Sequence, residues 1–265
     1  MTGLPIRPLL AVATAAVCLA ATQARAGTAE LTVDVSHYEY QETTSVGAFF
    51  MSDTSAPIFG SIGVRDWTTA PTDGRVRLLY TGELTYGQTD YASASSGTMT
   101  KDYYKARAEG YVAYRVSERF SPFVGLGYRT LFDASGGKRS STGALGYDRL
   151  SQYLYAPLGV LFTASDRWNL KAQYNLFLTG RQTSYLSTAS SAYGDIANDQ
   201  HTGWGIDLAA DYRINDRWTT YTFYRHWDIG KSDVSTGSVN GVVSFTAWEP
   251  DNTTDEFGIG LAYKF

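Results

Sequence analysis

The sequence predicts an all-β fold, a ten-stranded antiparallel up-and-down transmembrane β-barrel, and three observations lead to this prediction. Apolar residues recur at every second position in ten segments, which is the period of a β-strand. The connections between the segments alternate between short turns and long polar loops. Tyrosine and glycine are abundant, with 20 and 26 residues among 265, and only 18% of the residues are charged.

The composition also excludes some classes of function. The chain is 43% hydrophobic and its net charge is only −4, so it is not disordered as a whole. It lacks the basic excess with which nucleic-acid-binding proteins neutralise phosphates, and we expect no nucleic-acid partner.

The N-terminal segment has the pattern of a secretory signal peptide. Arg7 precedes an apolar run from Leu9 to Ala21, and alanines then occupy the positions that a signal peptidase reads. The run is shorter than the roughly 20 residues of a membrane-spanning helix. Cys18 does not mark a lipoprotein, because the three residues before it form a poor lipobox. We therefore expect a cleaved signal peptide, residues 1–26, and a single barrel domain, residues 27–265.

Each strand segment carries apolar residues on one face, beginning with Leu31, Val33 and Val35. In chain order, the apolar faces continue with Ile58, Ile62, Val64, Val76, Leu78, Tyr80, Leu84, Ala106, Ala108, Val112, Tyr114, Val124, Leu126, Tyr128, Leu170, Ala172, Tyr174, Leu176, Trp204, Ile206, Leu208 and Tyr212. The segments 149–163 and 218–229 complete the count, but their two faces do not differ enough to assign an orientation. A closed sheet suits such strands because every backbone N–H and C=O must be paired internally in hydrocarbon.

The last strand is the most informative. Phe257, Ile259, Leu261, Tyr263 and Phe265 form one face, and the chain ends on that aromatic residue. Together with a signal peptide, this pattern resembles the C-terminal strand of small Gram-negative outer-membrane β-barrel proteins. The resemblance implies a location in the cell outer membrane, contact with membrane lipid and lipopolysaccharide, and recognition of the terminal strand by the barrel-assembly machinery through Phe265.

The connections predict which end of the barrel faces which compartment. Short connections lie near 69–74, 117–120, 164–168 and 214–217, and long ones near 41–56, 88–102, 133–148, 182–202 and 230–253. In outer-membrane barrels the short turns are periplasmic and the long loops are extracellular. Five aromatic residues then fall at the periplasmic edge, where an aromatic girdle is expected: Trp67, Phe120, Trp168, Trp218 and Phe265.

The polar faces carry charges of both signs, which a barrel turns towards its lumen. They are Glu30, Asp34, Arg65, Arg75, Arg77, Glu83, Lys105, Arg107, Glu109, Arg115, Arg129, Lys171, Asp207, Asp211, Arg213, Glu256 and Lys264. They could line a translocation path or form a ladder of ion pairs that fills the barrel. Ten strands lie nearer the filled eight-stranded barrels than the open 16-stranded porins. We therefore expect a filled lumen with at most narrow solute passage.

The candidate catalytic residues are few. Asp199 and His201 form an Asp-x-His pattern in the fourth extracellular loop, which is similar to the omptin proteases. That resemblance implies that His201 is the general base and Asp199 its orienting partner. It also requires two opposing aspartates in the second loop, where this chain has only the separate Asp90 and Asp102. We therefore treat an omptin-like protease as the alternative function.

Other chemistry has weaker support. The three histidines have no spacing typical of a metal site, and Gly-x-Ser-x-Gly is absent, so we expect no metal and no cofactor. A lipid-modifying enzyme that uses His226 with Ser232 stays open. Gly125 and Gly127 lie within a strand and do not form a nucleotide loop.

The long polar loops carry acidic residues among Ser, Thr and Tyr. These are Asp53, Asp90, Asp148, Asp195, Asp199, Asp233, Glu249 and Asp251. They either solvate the loops or bind an extracellular ligand or divalent cations beside lipopolysaccharide. The sequence thus predicts a non-enzymatic barrel with a structural or surface-interaction role.

Overall fold

The computed structural model describes residues 29–44, 46–66 and 74–265. The predicted signal peptide, Trp67 and most of the turn at 69–74 lie outside the described residues. In the part that is described, no helix is long and apolar enough to cross a membrane.

Fourteen strands and one short 3₁₀ turn, Leu186–Thr188, make up the regular structure of the described residues. The strands are β1 (Ala29–Thr43), β2 (Phe49–Ser55), β3 (Phe59–Asp66), β4 (Val76–Ser93), β5 (Gly97–Tyr114), β6 (Phe120–Ala134), β7 (Asp148–Thr163), β8 (Trp168–Tyr185), β9 (Ile196–Gln200), β10 (Gly203–Arg213), β11 (Trp218–Ile229), β12 (Ser235–Val239), β13 (Val242–Ala247) and β14 (Asp251–Lys264).

Twelve of these strands build one closed antiparallel barrel of ten strands, because two barrel strands are each interrupted once. β2 and β3 form one, broken at residues 56–58, and β9 and β10 form another, broken at His201 and Thr202. The barrel closes where β14 pairs with β1, from Glu30 opposite Lys264 to Thr43 opposite Asp251. The predicted fold class is therefore confirmed.

The structure also contains a hairpin that the sequence analysis treated as loop. β12 and β13 pair outside the barrel and are joined by Asn240 and Gly241, both with positive φ. Asn-Gly is the commonest signal for a tight hairpin turn. The predicted loops at 41–56 and 88–102 are also mostly strand, since the hairpins β1–β2 and β4–β5 continue above the rest of the barrel.

Side-chain alternation places the apolar faces outside and most of the predicted lumen charges inside. Arg75 and Arg213 are exceptions, because both are exposed at the end with the short turns and bond there to the Tyr114 hydroxyl and the Asp166 carbonyl oxygen. The alternation also orients the segments 149–163 and 218–229, whose faces the sequence did not assign. Tyr153 and Tyr155 of β7, and Tyr221, Phe223 and Trp227 of β11, are buried in the lumen.

The short turns have a local cause. In the turn before β8, the Ser165 hydroxyl accepts hydrogen bonds from the backbone N–H groups of Arg167 and Trp168. Asn215 does the same for Arg217 and Trp218, at 2.9 Å each. A short polar side chain that bonds to the backbone two residues later is a common way to close a tight turn.

Two rings of aromatic side chains bound the apolar outer surface. The lower ring, at the end with the short turns, includes the exposed Phe120, Trp168, Trp218 and Phe265. The upper ring includes the exposed Tyr86, Tyr104 and Tyr224. Such rings mark the two interfaces of a membrane. The membrane-spanning segments therefore lie between them, and β2, β9 and the upper parts of β1, β4 and β5 extend beyond the upper ring, at the end of the barrel with the long connections.

Candidate functional site: the lumen and its extracellular mouth

Ion pairs fill the middle of the barrel. The Glu83 carboxylate accepts hydrogen bonds of 2.7 and 2.8 Å from Arg225. Arg107 donates to Glu109 at 2.6 Å and also contacts Asp207. A third pair joins Lys105 and Glu256. These side chains are mostly or wholly buried, so each charge depends on its partner.

Further hydrogen bonds hold the carboxylates of these pairs. Tyr155 and Gln173 both donate to Glu109 at 2.9 Å. Ser36 donates to Glu256 at 2.7 Å. A buried polar network in which most lone pairs are used is rigid, because moving one member leaves others unsatisfied.

An aromatic layer covers the ion pairs on the extracellular side. Tyr155 and Trp227 meet edge to face with 4.9 Å between ring centroids, and Tyr38 stacks on Phe59 at 5.0 Å. Gly127 makes room for this layer, since a Cβ there would lie 2.3 Å from the Tyr155 ring. This close approach supports the prediction that the strand glycines relieve crowding.

Arg129 belongs to the aromatic layer. Its guanidinium carbon lies 4.1 Å from the centroid of Trp227 and 4.8 Å from that of Tyr153. Its Nε and one terminal nitrogen have no hydrogen-bond partner among the described residues. Stacking on two aromatic faces is therefore the main interaction that stabilises this buried cation.

We call the ion pairs and the aromatic layer together the lumen plug. Its members are Tyr38, Phe59, Glu83, Tyr103, Lys105, Arg107, Glu109, Arg129, Tyr153, Tyr155, Asp207, Arg225, Trp227 and Glu256. A cavity of about 540 Å³ opens above the plug and one of about 550 Å³ opens below it. Within the plug there is a cavity of only about 30 Å³.

The upper cavity opens at the end of the barrel with the long connections, and we call it the extracellular mouth after the orientation that the sequence predicts. Arg149 bridges Glu42 and Glu249, at 2.6 and 2.7 Å. Lys101 bridges Asp53, at 3.0 Å, and Asp133. Lys231 and Asp251 also line the cavity, together with aromatic and apolar side chains: Phe50, Met51, Tyr91, Met99, Leu145, Tyr147 and Trp248.

Two acids near the extracellular mouth have raised pKa values. Burial raises the pKa of Asp53 to about 6, and the carboxylate of Asp133 adds to the rise, although Lys101 opposes it. Burial likewise raises the pKa of Glu249, against the opposing charge of Arg149. The mouth therefore gains positive charge as the pH falls towards 6.

The structure places the sequence-predicted residues Asp199 and His201 in different surroundings. His201 Nε2 lies 2.9 Å from the Asp233 carboxylate, and both side chains are exposed. Asp199 points outward on β9 and pairs with Arg181 at 3.5 Å. The partner of His201 is thus Asp233, an aspartate that the sequence analysis did not connect with it because 32 residues separate the two.

The two acids expected to oppose His201 also face outward. Asp90 accepts a hydrogen bond from Thr100 at 2.7 Å. Asp102 pairs with Lys138 at 3.2 Å, and a hydrogen bond from Gln88 lowers the pKa of Asp102. Neither carboxylate points into the extracellular mouth.

The remaining histidines also lie on the outer face. His226 Nδ1 is 2.9 Å from Asp255, and His37 Nδ1 is 3.1 Å from the hydroxyl of Ser55. Ser232 instead donates to the carbonyl oxygen of Asp233 and accepts from the N–H of Glu249. Among the described residues, no group of three or more His, Cys, Asp or Glu side chains is arranged to hold a metal ion.

No protein-family model and no curated protein matches the sequence significantly. Among solved structures, the chain is similar to the outer membrane protease OmpT from Escherichia coli, with 9% identity, coverage of 90% of this chain and 97% of that chain, and a TM-score of 0.53. This chain has the fold of an outer-membrane β-barrel. The β domain of the Bordetella autotransporter BrkA aligns with 14% identity, 90% and 100% coverage and a TM-score of 0.45. Neisserial surface protein A aligns with 12% identity, 91% and 98% coverage and a TM-score of 0.37.

The closed sheet and its lipid-facing apolar band agree with this fold. The barrel turns apolar side chains outward between two aromatic rings and satisfies its backbone hydrogen bonds internally. The protein is therefore located in the cell outer membrane, in contact with membrane lipid.

Proposed function

We propose that this barrel is a non-enzymatic outer-membrane protein with a structural or surface-interaction role, whose lumen passes solutes narrowly at most. The lumen plug is the observation that carries the proposal. It fills the middle of the lumen with paired charges and stacked rings, and a cavity that its residues line has a volume of only about 30 Å³.

The energetics of the plug support a closed resting state. Breaking one partner out of a buried ion pair costs about 3–5 kcal/mol. A solute that passes through would have to separate several pairs, since Glu83, Glu109 and Glu256 each hold a cation. Spontaneous opening is therefore rare.

The extracellular loops supply a contact surface. Val242 and Val243 of the β12–β13 hairpin are 66% and 68% exposed. Val234, Trp248 and Phe50 are further exposed apolar side chains on the same end of the barrel. Apolar groups gathered at one exposed end favour contact with an extracellular ligand or surface.

Planar-bilayer recordings test the closed lumen. We expect the purified protein to show no channels, or only small and infrequent ones. Steady conductance on the scale of a 16-stranded porin would refute the proposal.

A partition assay tests the contact surface. Cells that display the protein should adhere to hexadecane droplets more than cells that display V242S/V243S at an equal level. The control is T236S, which lies in the same β12–β13 hairpin and removes no exposed valine. Equal adhesion of all three strains would contradict a role for the apolar loops.

An omptin-like protease is the second candidate, because His201 and Asp233 form an exposed histidine–carboxylate pair at the end of the barrel with the long connections. The alternative lacks the opposing carboxylates, since Asp90 and Asp102 are bonded on the outer face. A histidine base without them loses most of the stabilisation that positions an attacking water. The non-enzymatic role is therefore favoured.

A further inference from the structure

The lower cavity is a dead-end vestibule that opens towards the periplasm. Its volume is about 550 Å³ and the ion pairs of the lumen plug form its roof. We call it the periplasmic vestibule and define it by the cationic wall residues Arg77, Lys171, Arg213 and Lys264.

These four cations share a feature that the ion-paired cations of the plug lack. None of them has a carboxylate within ion-pair distance among the described residues, whereas Arg65 and Arg225, which also line the cavity, are both paired. Lys171 reaches a carboxylate only through Tyr111, whose hydroxyl donates to Glu109. Its ammonium donates to the hydroxyl of Tyr111 at 3.2 Å and lies 5.1 Å from the centroid of that ring.

The acids of the vestibule do not balance these charges. Glu30 and Asp211 are both engaged by Arg65, and the roof carboxylates hold the plug cations. Glu118 and Asp216 lie in exposed turns at the rim. Among the described residues that line this cavity, eight are cationic and six are acidic, so the wall carries an excess of positive charge.

Adjacent strands bring further arginines together at the rim. The N–H of Arg115 bonds to the carbonyl oxygen of Arg75, which places these two residues directly opposite each other. Arg77 lies opposite Ala113, two residues before Arg115, and on the same face. Like charges at opposite and diagonal positions of neighbouring strands repel. The Arg75 guanidinium donates to the hydroxyl of the outward-facing Tyr114 at 3.4 Å. A bound anion would therefore relieve the repulsion between Arg77 and Arg115.

We propose that the periplasmic vestibule binds a small multivalent anion that carries phosphate or carboxylate groups. Guanidinium groups bind both by paired hydrogen bonds, and Lys171 supplies a point charge at the inner end. A cavity with low-dielectric walls concentrates the field of its charges. The inference is independent of the proposed surface role, because the vestibule opens on the opposite side of the plug.

Calorimetry on the folded barrel in zwitterionic detergent tests the proposal, with inorganic pyrophosphate and citrate as separate probes. At low salt we expect submillimolar binding of at least one probe, and the stronger probe identifies the preferred anionic group. Lys171→Gln and Arg77→Gln should each weaken it about tenfold. Arg167→Gln is the matched control, because Arg167 lies in a periplasmic turn and bonds to Tyr212 rather than lining the vestibule.

Heat-modifiable migration on gels confirms that each variant is folded before titration. Lys171→Arg should keep most of the affinity if charge is what matters. The proposal is overturned if wild type binds neither probe at millimolar concentration. It is equally overturned if Arg167→Gln weakens binding as much as Lys171→Gln and Arg77→Gln, or if neither of these two variants weakens it.

Discussion

The Glu83 carboxylate on β4 accepts two hydrogen bonds from the Arg225 guanidinium on β11, although three barrel strands separate β4 from β11 along the wall. The pair therefore crosses the lumen and ties opposite walls together. This two-bond geometry is the strongest form of a side-chain ion pair.

Removing one partner of this pair should destabilise the barrel strongly. Glu83→Ala leaves the Arg225 charge buried without its main partner, and we expect a loss of about 3–5 kcal/mol in the free energy of unfolding. Urea unfolding of the barrel in lipid vesicles, followed by tryptophan fluorescence, measures it. The double variant E83L/R225M removes both charges and should lose less than the single variant. A double variant that is less stable than Glu83→Ala would contradict this account.

Opening the aromatic layer should create a channel. Trp227→Ala with Tyr155→Ala removes two large rings from the lumen plug and joins their volume to the cavity of about 30 Å³. We expect small channels in planar bilayers that open more often than any channels of the wild type. Trp204→Ala, on the outer face of neighbouring β10, is the control and should not conduct. Conductance in the control, or none in the double variant, would show that the aromatic layer does not seal the lumen.

Much of this architecture was predictable because a strand has a period of two. The alternation around Val33 and Val35 assigns the inner and outer faces without any knowledge of contacts. The ion-pair ladder follows from the charges on those inner faces, but the pairing of Glu83 with Arg225 does not. Which strands face each other across a lumen depends on the closure and tilt of the barrel.

The candidate site at the mouth was less predictable. Asp199 precedes His201 by two residues, yet strand β9 turns Asp199 outward and a break in the strand sends His201 towards Asp233. Asp90 and Asp102 lie in strands that rise above the membrane, not in loops, and alternation turns both outward. A polar loop gives no periodicity from which such directions can be read.

The raised pKa of Asp53 predicts a pH dependence of stability. In the folded protein this pKa is about 6, against an ordinary value of 3.8, so the folded state binds the proton more tightly than the unfolded chain. The stabilisation is complete below about pH 3.8 and is lost as the pH rises through about 6. A rise of this size corresponds to at most about 3 kcal/mol.

Urea unfolding at pH 5 and pH 7.5 measures this effect. Between these two conditions Asp53→Asn should change less in stability than the wild type does, since the variant cannot take up the proton. Asp90→Asn, whose carboxylate is exposed on β4, should behave as the wild type. Identical pH dependence of Asp53→Asn and wild type would show that Asp53 is not the titrating group.

Deleting Phe265 should leave export intact but impair insertion. The residue is 73% exposed on the outer face and meets Tyr263 edge to face, with 5.6 Å between ring centroids. We expect less heat-modifiable protein in outer-membrane fractions and more in the periplasm. Phe120→Ala changes another residue of the lower ring of aromatic side chains, on β6, and this variant should insert nearly normally. Wild-type insertion of the truncated chain would contradict a role of Phe265 in assembly.

The absence of proteolysis is the last prediction. His201 and Asp233 form a pair, but the acids that should face them, Asp90 and Asp102, point outward. We therefore expect the folded protein in lipopolysaccharide to leave basic fluorogenic peptides intact. His201→Ala and Asp233→Asn should match the wild type, and both should fold because these side chains are exposed and loss of a surface contact costs little. Cleavage that disappears in both variants, but persists in the outward-facing Asp102→Asn, would establish His201 and Asp233 as a catalytic pair and replace the surface role with an enzymatic one.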